Sequence, residues 1–156
     1  MSRFADILDR KLEEFERPPN LPTGHFIWQI TKHPEYSEFT SKDGVQFDRV
    51  TFSCNPVSPM DDVDEDELSS FGDYTKTLVR KSFLVPDSSD DAAGHDRSLF
   101  MIRTFLGHCG VDESLPMGEA MSESINGQFA GELTHRPDPN NPEVVYQEIG
   151  RTSVPE

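Results

Sequence analysis

The sequence predicts a mainly β protein: a five-stranded barrel with one helix between its third and fourth strands and an amphipathic helix in front. Two observations support this. Five short segments alternate apolar and polar residues or are rich in β-branched and aromatic residues, whereas only two longer segments repeat apolar residues at helical spacing. A chain of 156 residues, 34% of them hydrophobic and 28% charged, is long enough to bury one core.

The first predicted element is an amphipathic helix over residues 2–17. Its apolar residues recur at helical spacing, and they are Phe4, Ile7, Leu8, Leu12 and Phe15. Pro18 and Pro19 end the helix and act as a stiff spacer, because proline lacks the N–H that a helix needs. We therefore divide the chain into residues 1–19, the helix and spacer, and residues 20–156, the barrel domain. The apolar stripe covers either its own barrel or a second subunit or partner.

The five predicted strands span residues 25–33, 47–55, 75–85, 125–136 and 143–151. Phe26, Trp28 and Ile30 alternate with polar residues in the first strand, which places Trp28 in the core. A loop with Pro34 and the turn Lys42-Asp43-Gly44 precedes the second strand. The segment PDPNNP, residues 137–142, turns without pairing, so the last two strands form a hairpin.

The hydrophobic period changes in residues 95–110, HDRSLFMIRTFLGHCG. Asp96 or Ser98 is the expected cap of this helix, and Gly107 or Gly110 its stop. The apolar face consists of Leu99, Ile102, Phe105 or Leu106, and Cys109. The stretch MGEAMSES adds a short helical turn. The resulting order matches that of an OB-fold, a partly open Greek-key barrel, with a β-sandwich or a split α+β sheet as alternatives.

The formal charge of -15 argues at first against a nucleic-acid partner, but the acid is unevenly spread. Residues 61–73 carry seven acidic groups and residues 87–96 carry four, with no Lys or Arg in either segment. Both segments are predicted to be solvated loops that do not pack. The acid either keeps the protein soluble, or the segment 61–73 competes with nucleic acid for a basic groove or recruits a basic partner.

Three stretches resemble a group of bacteriophage proteins related to single-stranded-DNA-binding proteins. They are LPTGHFIWQI, the helix end FLGHCGV, and INGQFAGELTHRPDPNNPEVVYQEIGR. The resemblance covers roughly residues 21–152, and its motifs are mostly turn glycines and barrel residues. It implies an OB-like protein that coats single strands during phage replication or recombination, in the cytoplasm of the infected bacterial host. The chain departs from many such proteins in ending RTSVPE without an acidic tail, which puts tail-mediated recruitment of replication or recombination proteins in doubt.

Single-strand binding requires cations along the backbone and aromatic faces on which bases stack. Several basic residues fall on or beside the second and third predicted strands, the surface on which OB-folds bind ligands. Arg49 is the strongest candidate, because Thr51 and Ser53 mark its side of the strand as solvent-facing. The residues predicted to contact nucleic acid are Arg49, Lys81, Arg80, Lys76, Phe47, Tyr36, Lys42 and Arg136.

The sequence indicates no enzyme, metal or cofactor. No Ser or Cys lies in a nucleophile-like turn near His95 and Asp96, and the His and Cys residues show no spaced pair typical of zinc sites. Cys54 and Cys109 are expected to be reduced, and neither a signal peptide nor a membrane-spanning stretch is expected. We expect a non-enzymatic protein that binds single-stranded DNA, or RNA, with little sequence preference, and that oligomerises through its N-terminal helix. The alternatives are a phage structural or assembly protein that uses the barrel as a scaffold, and an acidic DNA mimic.

Overall fold

The computed structural model describes residues 3–14, 20–141 and 143–155. Its strands are β1 Gly24–Ile30, β2 Glu35–Thr40, β3 Gln46–Pro59, β4 Val79–Pro86, β5 Gln128–Pro137 and β6 Val145–Ser153. Its α-helices are α1 Arg3–Leu8, α2 Glu65–Phe71, α3 Ala92–His108 and α4 Met117–Glu123, and short 3-10 helices span Leu12–Glu14 and Tyr74–Lys76. The mainly β prediction is therefore confirmed. No helix in the described ranges is long and apolar enough to cross a membrane.

The strands form one antiparallel sheet in the order β2-β3-β1-β5-β6, with β4 paired to β3. Strand β3 organises the sheet because it pairs along both of its edges. Val50 is opposite both Tyr36 and Phe83, and Cys54 is opposite both Ile30 and Val79. Consequently β4 occupies one edge of β3, and β2 and β1 follow each other along the other edge.

The core lies between one face of the sheet and α3. Phe26, Trp28 and Ile30 of β1 are fully buried, as their alternation predicted. The Trp28 indole N–H donates to the Gly131 carbonyl oxygen at 3.0 Å, so its polar atom is satisfied inside the core. The Phe105 ring of α3 packs against the rings of two strands, with centroids 4.9 Å from Phe52 and 4.8 Å from Phe129.

The sheet curls until two of its edge strands, β4 and β6, approach each other, but these two are not joined by a ladder of backbone bonds. The Lys81 side chain spans the gap instead. Its Nζ donates to the carbonyl oxygens of Ile149 and Gly150, both at 3.1 Å. Register shifts at Ile27/Trp28 and at Gly131/Leu133 help the curl, because bulges bend strands and increase their twist.

Several boundaries differ from prediction. The structure has six strands, because residues 35–40 form β2 where a loop around Pro34 was predicted; Pro34 lies before the strand and leaves its ladder intact. The third predicted strand begins at Val79 because residues 74–76 form a 3-10 turn capped by the Asp73 side chain. The hairpin of β5 and β6 and the short helix α4 are confirmed.

The helical and acidic segments also need correction. The helix α3 begins earlier than predicted, since the Asp91 side chain caps it by accepting from Gly94 N. The prediction that both acidic segments are loops that do not pack is wrong. Residues 61–73 contain α2, with Val63 and Leu68 in the core, and residues 92–96 form the first turn of α3, with Gly94 buried. The N-terminal helix predicted over 2–17 ends at Leu8, and residues 15–19, which include Phe15 and both prolines, lie outside the described residues.

Candidate functional site

The solvent-facing side of β2, β3 and β4, here called the outer face, collects much of the predicted site. Val50 and Phe52 of β3 point into the core, so Phe47, Arg49 and Thr51 point the other way. Residues of β2 and β4 that lie directly opposite these β3 residues point to the same side of the sheet. Its members are Ser37 and Phe39 of β2, Phe47, Arg49 and Thr51 of β3, and Arg80, Ser82 and Leu84 of β4.

A stacked aromatic pair lies at the hairpin end of the outer face. Phe39 and Phe47 are opposite each other, their ring centroids 5.1 Å apart and their planes inclined by only 10°. The Arg49 guanidinium lies 4.9 Å from the Phe39 ring centroid, a cation–π contact. Both rings are half-buried, and Arg49 is exposed. The cluster therefore presents aromatic surface beside a positive charge.

The Lys and Arg side chains on and around the outer face differ in whether they take part in ion pairs. Lys42 is exposed in the turn between β2 and β3, and within the described residues it takes part in no ion pair, nor do Arg49 and Arg80. Lys76 is exposed but lies 3.9 Å from an Asp73 carboxylate oxygen. Three cations are thus available to an anionic ligand, and a fourth is weakly paired.

Three predicted residues lie away from the outer face. Lys81 pairs with Phe52 on the inner side, and burial lowers the pKa of its ammonium. Arg136 of β5 donates to Glu148 Oε1 at 2.6 Å and lies over the Tyr146 ring. Tyr36 is 58% exposed but has the strand parity of the core side, opposite Val50. The structure therefore places Arg49 beside the Phe39–Phe47 pair and Lys42 in the adjacent turn, with Arg80 on the same face but opposite Ser53, four residues farther along the strands. Lys81, Arg136 and Tyr36 lie elsewhere.

Acidic groups limit the positive potential of this region. Glu35 pairs with Thr51 at the far end of β2, and Glu38 is opposite Asp48 on the other side of the same ribbon. Like charges directly opposite each other cost stability in a sheet. With Arg49, the pair Glu38 and Asp48 lines a shallow groove. A ligand that approached through phosphates alone would meet both signs of charge here.

Sequence reasoning missed Phe39, although a signal existed. The turn at Lys42-Asp43-Gly44 sets the register of a hairpin, and this register places Phe39 opposite Phe47. It also missed a group on another part of the surface, where His25, Asp62 and Glu132 lie together. No local spacing marks this second group, because it depends on the pairing of β1 with β5 and on the turn after β3.

An apolar cavity of about 290 Å³ lies between α3 and α4. Phe100 and Met117 at its rim are 60% and 41% exposed. Its apolar lining includes Leu99, Phe100, Leu106, Val111, Leu115 and Met117. An ion pair between Arg103 and Glu113, 2.8 Å long, flanks it. Exposed apolar surface bordered by charge is typical of protein-binding sites.

The two cysteines are free thiols. Burial raises the pKa of both Cys54 and Cys109 to about 12. A thiol of such high pKa is almost entirely protonated near neutral pH and is a poor nucleophile and a poor metal ligand. These residues therefore contribute packing.

No protein-family model matches the chain, and a search of curated proteins finds no match.

Proposed function

We propose that the chain binds single-stranded nucleic acid, foremost DNA, on the outer face and without enzymatic activity. The stacked pair Phe39–Phe47, with Arg49 beside it, is the observation that carries the proposal. Any base can stack on an aromatic ring, and each stacked base contributes about 1–3 kcal/mol to the binding free energy. An arginine next to the rings can bind the backbone phosphate adjacent to the stacked base. Because stacking does not read base edges, we expect little sequence preference.

The strand order supports an OB-like architecture. Because β1 and β2 share one edge of β3, they count as a single interrupted strand. The pairings then run from this strand to β3 and on to β4, and in the other direction to β5 and β6, while Lys81 links the remaining edges. Helix α3 falls between β4 and β5. An OB-fold binds oligonucleotides on its second and third strands, which would here be β3 and β4.

The charge of the chain sets the expected strength of binding. The logarithm of the binding constant falls linearly with the logarithm of the salt concentration. For single strands each neutralised phosphate adds about 0.7 to the steepness of this slope. Only Arg49, Arg80 and Lys42 lack an ion pair in this region of the described chain, so we expect a slope near two. Stacking must therefore supply most of the affinity, and duplex DNA, whose bases are already stacked, should bind less well.

The cellular role follows from the resemblance to phage single-strand-binding proteins. Coating of single strands made during phage replication or recombination, in the cytoplasm of the infected host, requires the sequence-tolerant binding that the outer face offers. Replication or recombination proteins would then be partners.

The experiment is a fluorescence-anisotropy titration of labelled oligo-dT and of a duplex of equal length, at about 50 and 200 mM salt. The variants are Phe47→Leu, Phe39→Leu and Arg49→Gln, and the matched controls Phe100→Leu and Arg97→Gln change exposed residues of α3. We expect oligo-dT to bind more tightly than duplex, and the outer-face variants to weaken binding several-fold. Failure of oligo-dT to bind at about 50 mM salt, or equal losses in the controls, would refute the proposal.

A second candidate function is that of an assembly protein, and the apolar cavity between α3 and α4 favours it. Phe100 and Met117 expose apolar surface that a monomer gains nothing by exposing. A partner protein bound there would leave the outer face untouched, so Phe100→Asp would abolish its binding without altering the affinity for oligo-dT. Co-purification from phage-infected cells, with and without this substitution, tests this function.

A further inference from the structure

Three residues from distant parts of the chain place one imidazole and two carboxylates together at the surface. His25 of β1 pairs directly with Glu132 of β5, so both side chains leave the sheet on the same side. Asp62 reaches them from the turn that follows β3. One nitrogen of His25 and one oxygen from each carboxylate all lie within 4.8 Å of one another.

The position of Asp62 is fixed by several bonds. Its Oδ1 accepts from the His25 backbone N–H at 2.8 Å, and its Oδ2 lies 2.6 Å from the His25 ring Nδ1. The turn itself is held by a bond from Met60 N to the His25 carbonyl oxygen, and by burial of the next side chain, Val63. Gly24 allows this close approach, since a Cβ there would lie 2.7 Å from a Val63 methyl carbon. The carboxylate is thus held in place before any ligand arrives.

The electrostatics favour a cation. Two carboxylates face one imidazole, so even a protonated His25 leaves one negative charge without a counterion in the group. The chain's net charge of -15 further raises the local concentration of cations.

We propose that His25, Asp62 and Glu132 bind a divalent transition-metal ion, with zinc as the ion that these ligands suit best. Zinc accepts imidazole nitrogen and carboxylate oxygen at about 2.0–2.2 Å, which places neighbouring ligand atoms roughly 3.4 Å apart. All three ligand atoms lie within 4.8 Å of one another, and metal binding would bring them to this spacing while the 2.6 Å contact between His25 Nδ1 and Asp62 Oδ2 lengthens. Water would take the fourth tetrahedral position.

The same ligand set disfavours the common hard cations. Calcium takes six to eight oxygen ligands and magnesium a near-ideal octahedron of oxygens, whereas this group offers a nitrogen and two carboxylates. Imidazole suits zinc, copper and nickel. A bound ion would join the turn after β3 to both β1 and β5, and so fix the start of the acidic segment 61–73 against the sheet. The inference is independent of nucleic-acid binding.

The test is isothermal titration of zinc chloride into the full-length chain, without an affinity tag and after treatment with chelator, with magnesium chloride titrated in parallel. The cluster variants are Glu132→Gln, Asp62→Asn and His25→Asn. The matched controls are Glu38→Gln, Asp66→Asn and His33→Asn, which change exposed residues outside the group. We expect one zinc per chain, a loss of affinity of about tenfold or more in each cluster variant, and no change in the controls.

Glu132→Gln is the decisive variant, because it keeps the side-chain volume and leaves the bonds between His25 and Asp62 in place. Its circular dichroism and melting temperature should match those of the wild type without metal. The proposal is overturned if zinc does not bind, if it binds this variant as tightly as the wild type, or if magnesium binds equally well. The last result would mean that acidic surface attracts cations without a built site.

Discussion

Lys81 is expected to hold the edge strands β4 and β6 together, and its replacement by methionine tests this. The ammonium donates to the carbonyl oxygens of Ile149 and Gly150 at 3.1 Å and lies 5.2 Å from the Phe83 ring centroid. Methionine has a similar length and fills the same space. The substitution K81M therefore removes the charge and both hydrogen bonds but keeps most of the apolar contacts.

The size of the effect follows from three terms. Hydrogen bonds from a charged donor contribute about 1.5–3 kcal/mol each, and the contact with the Phe83 ring about 0.5–1 kcal/mol. Methionine in turn relieves the cost of keeping a half-buried ammonium out of water, which offsets roughly half of that loss. We expect the free energy of unfolding to fall by about 2–3.5 kcal/mol, which corresponds to roughly 4–14 °C in melting temperature for a chain of this size.

The measurement is urea denaturation followed by circular dichroism, with R80M as the matched control. Arg80 is the preceding residue but lies on the outer face and is exposed, so its substitution should change stability by no more than about 0.5 kcal/mol. Amide hydrogen exchange should also accelerate in residues 149–151 of K81M. A K81M protein as stable as R80M, with unchanged exchange in β6, would refute the bridging role of Lys81.

Three further predictions concern other parts of the chain. Because the bonds from His25 lower the folded-state pKa of Asp62, the unfolded chain binds more protons as the pH falls below about 5. The stability from this carboxylate is therefore full at neutral pH and is lost as the pH falls through the folded pKa, so D62N should lose stability less steeply in acid denaturation; parallel curves would contradict this. Burial raises the pKa of Cys54 and Cys109 to about 12, so only about one thiol in ten thousand is ionised at pH 8. Both should therefore resist a thiol-specific disulfide reagent at pH 8 in the native protein and react once the protein is denatured. Rapid labelling of the native protein would contradict their burial. A chain starting at Asn20 should lose any oligomers seen by light scattering while keeping its melting temperature. A large drop in the melting temperature of a monomer would show instead that the N-terminal segment stabilises the rest of its own chain.

Much of the fold could be predicted because most of its strands alternate apolar and polar residues clearly. The burial of Trp28 and the hairpin of β5 and β6 both follow from local pattern and turn residues. Strand β2, EYSEFT, was missed because almost all of its residues are exposed, so no apolar alternation marks it. Helix α2 was missed because Leu68 and Phe71 are its only apolar residues, which are too few to show a helical period.

In the candidate site, too, features set by local sequence could be predicted, whereas features set by strand pairing or tertiary structure could not. The alternation of Val79, Lys81, Phe83 and Val85 already indicates that Lys81 points inward, and a strict reading of strand parity excludes it from the outer face. The pairing of Arg136 with Glu148 could not be predicted, because it depends on the register of the hairpin. His25, Asp62 and Glu132 come together only through tertiary structure, and for such groups a single sequence contains no local signal.

The burial of the only tryptophan determines which events in this protein can be observed through its own emission. Trp28 is fully enclosed and its indole N–H is bonded to the Gly131 carbonyl oxygen, so its surroundings change when the core opens. A base stacked on Phe39 or Phe47 lies on the opposite side of the sheet and does not touch the indole. Intrinsic fluorescence should therefore report unfolding and remain silent to ligands on the outer face, whose binding must be followed by a probe on the nucleic acid.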